Sequence, residues 1–247
     1  MIDALYQSDS YLRTADLPIT GLHEDGVLVE RSIFYPQGGG QPGDKGMLEF
    51  SNGDTVPVLT TRYGPDRNSF LLVLRDGQDP LPDALGVVSV GDTLTGHVDW
   101  ALRYRFMRVH TALHLLSVVM PYPVTGGQIS DGDGRLDFDI AEATLDKEAL
   151  SEQLQTLIDA DHSVGQEWIT DAELDARPDL VKTMSVKPPR GSGKVRLVRI
   201  GDVDLQPCGG THVQSTAEIG KVEIRKIENK GKQNRRVRIR LSGDDAV

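Results

Sequence analysis

Two histidines stand four residues apart in the apolar run RVHTALHLL (Arg108 to Leu116), and the single cysteine of the chain, Cys208, stands four residues before His212 in QPCGGTHV. On a helix, His110 and His114 leave the same face one turn apart, which suits two imidazole nitrogens on one ion. Alone, such a pair fits equally two helix histidines that satisfy local hydrogen bonds. The second pair sharpens the reading. Three imidazoles and one thiolate form a soft donor set suited to zinc rather than calcium or magnesium. His114 and Cys208 lie 94 residues apart, far wider than in a compact structural finger, so one ion per chain would join distant elements of a folded domain. The glycines of CGGTH would allow tight backbone approach and unusual dihedrals beside it. Four protein ligands close a tetrahedral zinc and usually read as structural; catalysis would need a fifth position or a ligand that lets go.

Other chemistries fit less well. A metalloprotease helix carries HExxH with Glu as base, whereas Thr111, Ala112 and Leu113 separate these histidines. Cys208 could be a nucleophile with a histidine base, but the histidine at +4 and the helix pair favour ligation. The run PQGGGQPGDKG (Pro36 to Gly46) sets Gly38, Gly40 and Gly43 at GxGxxG spacing. Pro42 and the β-rich surroundings argue against a dinucleotide fold, and Asp44 stands where a phosphate loop needs Lys. Two readings stay open for this run: a cluster of β-turns, or close backbone approach to a phosphate chain. His23, His97 and His162 have no partner at metal spacing and read as structural or surface residues.

The elements that must position these residues change character along the chain. Over 1–95, GVLVERSIFY, GMLEFS, TVPVLTTRY and FLLVLR are short, rich in Val, Leu and Thr, and divided by Gly, Pro, Asp and Asn, as in a small β-barrel. QDPLPDALGVVSVGDTLTGHVD reads as a loop and a closing strand. From Trp100 a helix runs through both histidines, capped by Asp99 and ended by Pro121. The boundary expected near residue 96 leaves an α+β domain over 96–247. In it, YPVTGGQISDGDGRLDFDI reads as a turn-rich piece running into a strand, followed by a helix at about 146–161 with a Leu150, Leu154, Leu157, Ile158 stripe. A short helix follows, boxed by Thr170 and Glu173 and ended by Pro178. The strands KVRLVRIG, GKVEIRKIE and RRVRIRLS come last, with NKGKQN as a hairpin loop.

The 247 residues are 26% charged and 38% hydrophobic, ordinary for a soluble globular chain. No apolar run is long enough to span a membrane, no secretory signal is visible, and one cysteine cannot form an internal disulfide; a cytoplasmic location is expected. The net charge of −10 argues mildly against a dedicated nucleic-acid binder. Yet residues 221–240 hold nine Lys/Arg against two Glu, a local +7 on a remainder near −17. This ribbon reads either as a polyanion contact or as a solvated hairpin whose charges protect an edge strand.

HTALHLL and PCGGTHV resemble the paired motifs of the alanyl-tRNA synthetase editing domain and its free-standing relatives, the AlaX trans-editing proteins. GGQIS followed by GRLDFD (Gly126 to Asp139) resembles the strand lining their editing pocket. FYPQGGGQPGD (Phe34 to Asp44) resembles the glycine-rich motif of the N-terminal barrel in the longer form. The resemblance covers essentially the whole chain, in order. It implies an aminoacyl-tRNA deacylase acting in trans on mischarged alanine tRNA, with serine as the wrong amino acid and glycine as a second candidate. It carries His110, His114, Cys208 and His212 over as zinc ligands. An aminoacyl ester is already activated, so an ion that polarises a carbonyl or positions the substrate suffices. Thr111, Thr125, Gln128 and Ser130 are candidates to read the serine hydroxyl. Gly38, Gly39, Gly40, Gln41, Lys226, Lys230, Lys232, Arg235 and Arg236 are candidates to hold the tRNA. No general base stands out. The alternative from another class is a non-catalytic, zinc-stabilised RNA-binding module.

Overall fold

The computed structural model describes residues 2–77, 79–82, 86, 88–140, 145–183, 193–231 and 233–243. Mostly strands with a few helices, the chain divides into two compact units, Met1–Tyr104 and Arg105–Val247.

In the first unit, β1 (Asp3–Ala4) leads into the one-turn α1 (Leu5–Ser8). There follow β2 (Thr14–His23), β3 (Gly26–Val29), β4 (Arg31–Ser32), β5 (Gly46–Glu49), β6 (Thr55–Val58), β7 (Thr60–Tyr63), β8 (Phe70–Val73) and β9 (Thr93–Val98). Seven strands make one sheet in the order β6-β5-β9-β2-β3-β8-β7. Its two end strands are separated by a single residue, Leu59, whose N–H reaches Val73 O at 2.9 Å, so the sheet curls almost closed. The expected segments form strands, and β9 is the closing strand, paired with both β2 and β5. β2 itself was not anticipated because it contains Pro18. The proline stands where β2 leaves β9 for β3, a switch point that asks no ladder N–H of it. Leu17, Ile19, Val27, Phe34, Leu48, Phe70 and Leu72 fill the interior.

The glycine-rich run is a set of tight turns. Gly38 and Gln41 exchange backbone hydrogen bonds (3.1 and 2.9 Å) across Gly39 and Gly40, whose φ values of 56° and 87° suit a two-residue hairpin turn. A Cβ on Gly43 would lie 2.1 Å from Thr61 O. Asp44 ends the run inside the unit. Its carboxylate accepts from Tyr35 N (2.5 Å) and from the Arg103 guanidinium, which also donates to Ile33 O at 2.6 Å. Arg103 and Asp44 are each 1% exposed.

α2 (Trp100–Val119) begins in the first unit and continues into the second. Asp99 caps it by accepting from Leu102 N at 3.1 Å. From Val109 to Ser117 every residue is buried, so the helix is a central strut rather than an amphipathic lid. The second unit adds β10 (Val124–Ile129), β11 (Asp133–Asp139), α3 (Lys147–Asp159), β12 (Val164–Ile169), α4 (Asp171–Asp175), β13 (Val195–Ile200), β14 (Asp204–Pro207), β15 (Lys221–Asn229) and β16 (Asn234–Ser242). Its antiparallel sheets run β10-β11-β16-β15 and β12-β13-β14. α3 starts at Asp146 and buries Leu154 and Ile158, with Leu150 and Leu157 half-buried; the Thr170/Glu173 capping box forms as spaced. Val237, Ile239 and Leu241 face inward and Arg238 and Arg240 outward.

Two expectations are corrected. VTGGQI is a strand rather than a turn: Val124 and Ile129 are buried anchors, and Ser130–Asp133 close a tight hairpin onto β11 with Gly132 at φ 68°. β12 was missed because its half-exposed sequence, VGQEWI, has no apolar alternation. On β11, a Cβ at Gly134 would meet Val109 at 2.6 Å and Leu113 at 3.2 Å, so this glycine lets α2 pack directly on the four-stranded sheet.

Candidate metal centre

α2 presents His110 and His114 one turn apart, their rings 5.2 Å apart between centroids. Cys208 and His212 enter from the segment after β14. The two pairs meet: His212 lies 4.2 Å from His110 and 4.6 Å from His114 between ring centroids. Cys208 Sγ is 3.3 Å from His212 Nε2 and 3.5 Å from His110 Nε2. One donor atom from each of the four lies within 4.8 Å of the others. The three histidines are 5–9% exposed and Cys208 is half-buried.

Surrounding groups fix which nitrogen faces the centre. Thr111 Oγ1 donates to Met107 O (2.9 Å) and lies 3.1 Å from His212 Nδ1. With its proton committed, Thr111 accepts from Nδ1–H, which leaves the Nε2 lone pair toward the cluster. His114 Nδ1 lies 3.1 Å from Asp204 Oδ2 with the same result. Asp204 is itself held by Lys182 Nζ (2.6 Å) and Gln206 Nε2 (2.7 Å). A carboxylate behind a ligating imidazole orients the ring and strengthens it as a donor.

The cysteine turn is stapled to β13. Cys208 N donates to Arg196 O (3.1 Å), and Arg196 Nη1 donates to Cys208 O (3.1 Å) and Gly210 O (2.8 Å). The glycines of this turn do not serve through unusual dihedrals, since neither Gly209 nor Gly210 takes a positive φ. Instead the Gly210 N–H approaches Cys208 Sγ at 3.4 Å, a donor to a thiolate.

Burial would raise the Cys208 thiol, but His110 and His212 beside it outweigh burial and hold it well below its ordinary value. Burial pushes His212 well down, helped by His110. Burial lowers His114 too, yet Asp204 and then Cys208 carry it up to about 9; Asp204 falls to about 2 against its own burial, chiefly through His114. Thiolate and imidazolium thus share a water-poor centre in which a divalent cation can replace the proton. Donor types, convergence and tautomers all fit zinc.

The chain resembles known proteins along its length. Residues 195–238 match the family model described as threonyl and alanyl tRNA synthetase second additional domain. That span carries Cys208 and His212. The alanyl-tRNA editing protein AlaX-M of Methanosarcina acetivorans is 33% identical over 245 residues, covering 96% of this chain and 98% of its own. The AlaX-M of Saccharolobus solfataricus is 30% identical over 241 residues, covering 96% of this chain and 98% of its own. The chain belongs to the AlaX family of alanyl-tRNA editing proteins. The AlaX-L of Pyrococcus horikoshii is 29% identical over 249 residues, covering 94% of this chain and 56% of its own.

The other candidate residues scatter. Thr111 is fully buried, and its hydroxyl is engaged by His212 and Met107. Thr125 sits in the β10 bulge, donating to Asp137 O and accepting from Asn234 Nδ2, both at 3.1 Å. Gln128 is exposed and opposes Arg135, on the sheet face turned away from α2; Ser130 is exposed in the following turn. Neither is brought to the His/Cys cluster, because pleating sends Gly127 and Ile129 inward instead. Gly38 to Gly40 form the turn described above, and Gln41 is buried, 1% exposed, which removes its side chain from any surface contact. Lys226 is exposed on β15 and Lys230 follows that strand. Arg235 donates to Gly231 O (3.3 Å), Arg236 is tied to Asp137 (2.7 Å), and Lys232 lies outside the described residues. Sequence reasoning missed Asp204, Lys182 and Arg196. Asp204 stands four residues before Cys208, the one signal that could have found it. A second group, His23, Glu24 and Asp25, also lies within ligand distance, but Asp25 is engaged by Arg75 at 2.9 Å.

Proposed function

We propose that this AlaX protein is a trans-editing hydrolase that cleaves the ester of mischarged alanine tRNA, with seryl-tRNA(Ala) as the principal substrate and glycyl-tRNA(Ala) as a second. The observation that carries the reading is the convergence of His110, His114, Cys208 and His212 in a chain aligned with AlaX-M proteins over 96% of its length. These four residues would hold one zinc ion. When bound, zinc supplies Lewis acidity and a fixed point for orienting the aminoacyl group.

The protein's own groups do the rest. Asp204 and Thr111 hold two imidazoles in the tautomer that turns Nε2 inward, and Gly210 N–H supports the Cys208 thiolate. Burial of the three histidines keeps bulk water from competing at the centre. A nucleophilic Cys208 is disfavoured by the same geometry. A nucleophile needs one base and one orienting group, whereas here two Nε2 atoms approach one sulfur and a third ring adjoins them. Of the serine-reading candidates we retain Thr125, because the Thr111 hydroxyl is committed to Met107 and His212 and Gln128 and Ser130 are exposed. No helix among the described residues is long and apolar enough to cross a membrane, and we place the activity in the cytoplasm, where translation supplies the substrate.

The test is deacylation of Ser-tRNA(Ala), Ala-tRNA(Ala) and Ser-tRNA(Ser) by zinc-replete protein. Loss of the first alone is expected. Cleavage of none above background would reduce the protein to an RNA-binding module and sink the enzymatic reading.

A further inference from the structure

The outer face of the four-stranded sheet carries a groove of about 510 Å³ lined by Gln128, Arg135, Arg225, Lys226, Arg238 and Arg240, among others. Strand register explains why these residues meet. Gln128 opposes Arg135, Arg135 opposes Arg238, and Arg238 opposes Lys226, so one transverse row across four strands holds an amide and three cations with no acid among them. Like charges directly opposite each other destabilise a sheet. The neighbouring rows do not cancel them. Glu228 serves both Lys226 (3.1 Å) and Arg238 (2.9 Å), while Asp137 serves both Arg135 (2.5 Å) and Arg236 (2.7 Å). On the other side of the row Asp133 pairs with Arg240 (2.7 Å) and Glu223 lies 3.7 Å from Arg225, so four carboxylates are shared among six cations on this face. They hold the guanidinium groups in place and leave the face with an excess of positive charge, on a chain whose net charge is −10.

We propose that this row is a track for the sugar–phosphate backbone of RNA. The proposal rests on the editing reading for its choice of RNA, and it assigns Arg135 and Arg238, which that reading did not use. Guanidiniums carried by neighbouring strands, whose backbones run about 5 Å apart, suit successive phosphate oxygens. Gln128 and the adjacent Ser130 add donors and acceptors suited to 2′-hydroxyls. The repulsion built into the row is relieved when a polyanion lies along it, so RNA binding and sheet stability are coupled.

The experiment measures binding of unacylated alanine tRNA to the full-length protein by fluorescence anisotropy over a range of NaCl concentrations. It compares the native chain with Arg135→Gln/Arg238→Gln, with Arg238→Lys, and with Lys147→Gln on α3 as a surface control. The double variant should bind roughly tenfold or more weakly at low salt, and its log–log salt slope should fall by about 2, one per lost phosphate contact. Arg238→Lys should retain the slope, and Lys147→Gln should match the native chain. Zinc content and thermal melting confirm that each variant is folded. An unchanged slope in the folded double variant overturns the proposal. So does unchanged tRNA binding together with lost binding to phosphatidylserine vesicles, which would assign the face to a lipid surface. Because the probe carries no ester, a protein that deacylates nothing can still pass, and an active editing enzyme can still fail.

Discussion

His114 Nδ1 lies 3.1 Å from Asp204 Oδ2, an oxygen that also accepts from Gln206 Nε2, while Lys182 Nζ holds the other carboxylate oxygen. The imidazole therefore faces the cluster with Nε2, its orientation set by the Asp204 carboxylate and, behind it, by Lys182. Asp204→Asn keeps the shape but removes the charge, and leaves the Lys182 ammonium without its partner. Zinc affinity should fall by roughly 10–100-fold, with deacylation falling in parallel at limiting zinc. Competition against a chromogenic chelator measures the first directly. Native affinity in the variant would show that Asp204 only supports packing.

Cys208→Ser separates two roles for the sulfur. As a ligand, Cys208 contributes the only thiolate to a centre otherwise made of imidazoles, and serine is a poor replacement. The variant should lose most bound zinc and its activity together, by metal analysis on the same samples used for kinetics. Full zinc occupancy with activity abolished would instead indicate a nucleophilic thiol.

Much of this centre was legible from spacing, and the rest was not, for physical reasons. The i, i+4 histidines and the Cys208/His212 pair follow from local geometry, as do the Asp99 and Thr170 caps and the inward face of β16. β10 and β12 were not legible. Two glycines in VTGGQI mimic a turn signal, and VGQEWI shows no period-2 pattern because most of it lies exposed. β12 becomes a strand through a long-range partner, β13, which no local window contains, whereas β10 pairs with β11 across a tight hairpin that its glycines obscure. Pleat direction likewise decided against Gln128: its register with Arg135, rather than its residue type, puts it on the outer face. The glycine-rich run had two open readings, and the structure shows a turn cluster anchored by the buried Asp44–Arg103 pair, a geometry compatible with both.

That ion pair should matter for stability. Arg103 and Asp44 are each 1% exposed, and the guanidinium also satisfies Ile33 O and Ser10 O. Removing one partner leaves a buried charge uncompensated, at a cost of roughly 3–5 kcal/mol. Asp44→Ala should lower the melting temperature markedly in calorimetry, with a larger effect than Asp131→Ala, whose ion pair with Arg105 is more exposed. Equal effects would mean that the buried pair contributes no more than a surface one.

Acid stability should carry the signature of Asp137. Burial opposes its ionisation, but hydrogen bonds from Arg236 and Arg135 prevail and lower it from an ordinary value of 3.8. A depressed folded-state value means that the stabilisation is fully present above the unfolded value and disappears as pH falls through the folded one. The stability difference between the native chain and Asp137→Asn should therefore be constant above about pH 5 and shrink below pH 4. Urea titrations at a series of pH values give that difference. A gap that widens on acidification would contradict the assignment.

Gly134 links sheet packing to the metal centre. A Cβ there would meet Val109 Cγ1 at 2.6 Å and both Leu113 methyls at 3.2–3.3 Å, and these residues immediately precede His110 and His114 on α2. Because Val109 to Ser117 is buried throughout, α2 has little room to retreat. Gly134→Ala should then cost roughly 1–3 kcal/mol through overpacking. It should also weaken zinc binding, because a helix displaced by a few tenths of an ångström carries both histidines with it. Melting temperature and chelator competition, measured on one preparation, test the coupling. Loss of stability at native zinc affinity would show that the strain is absorbed by the sheet and not by the helix.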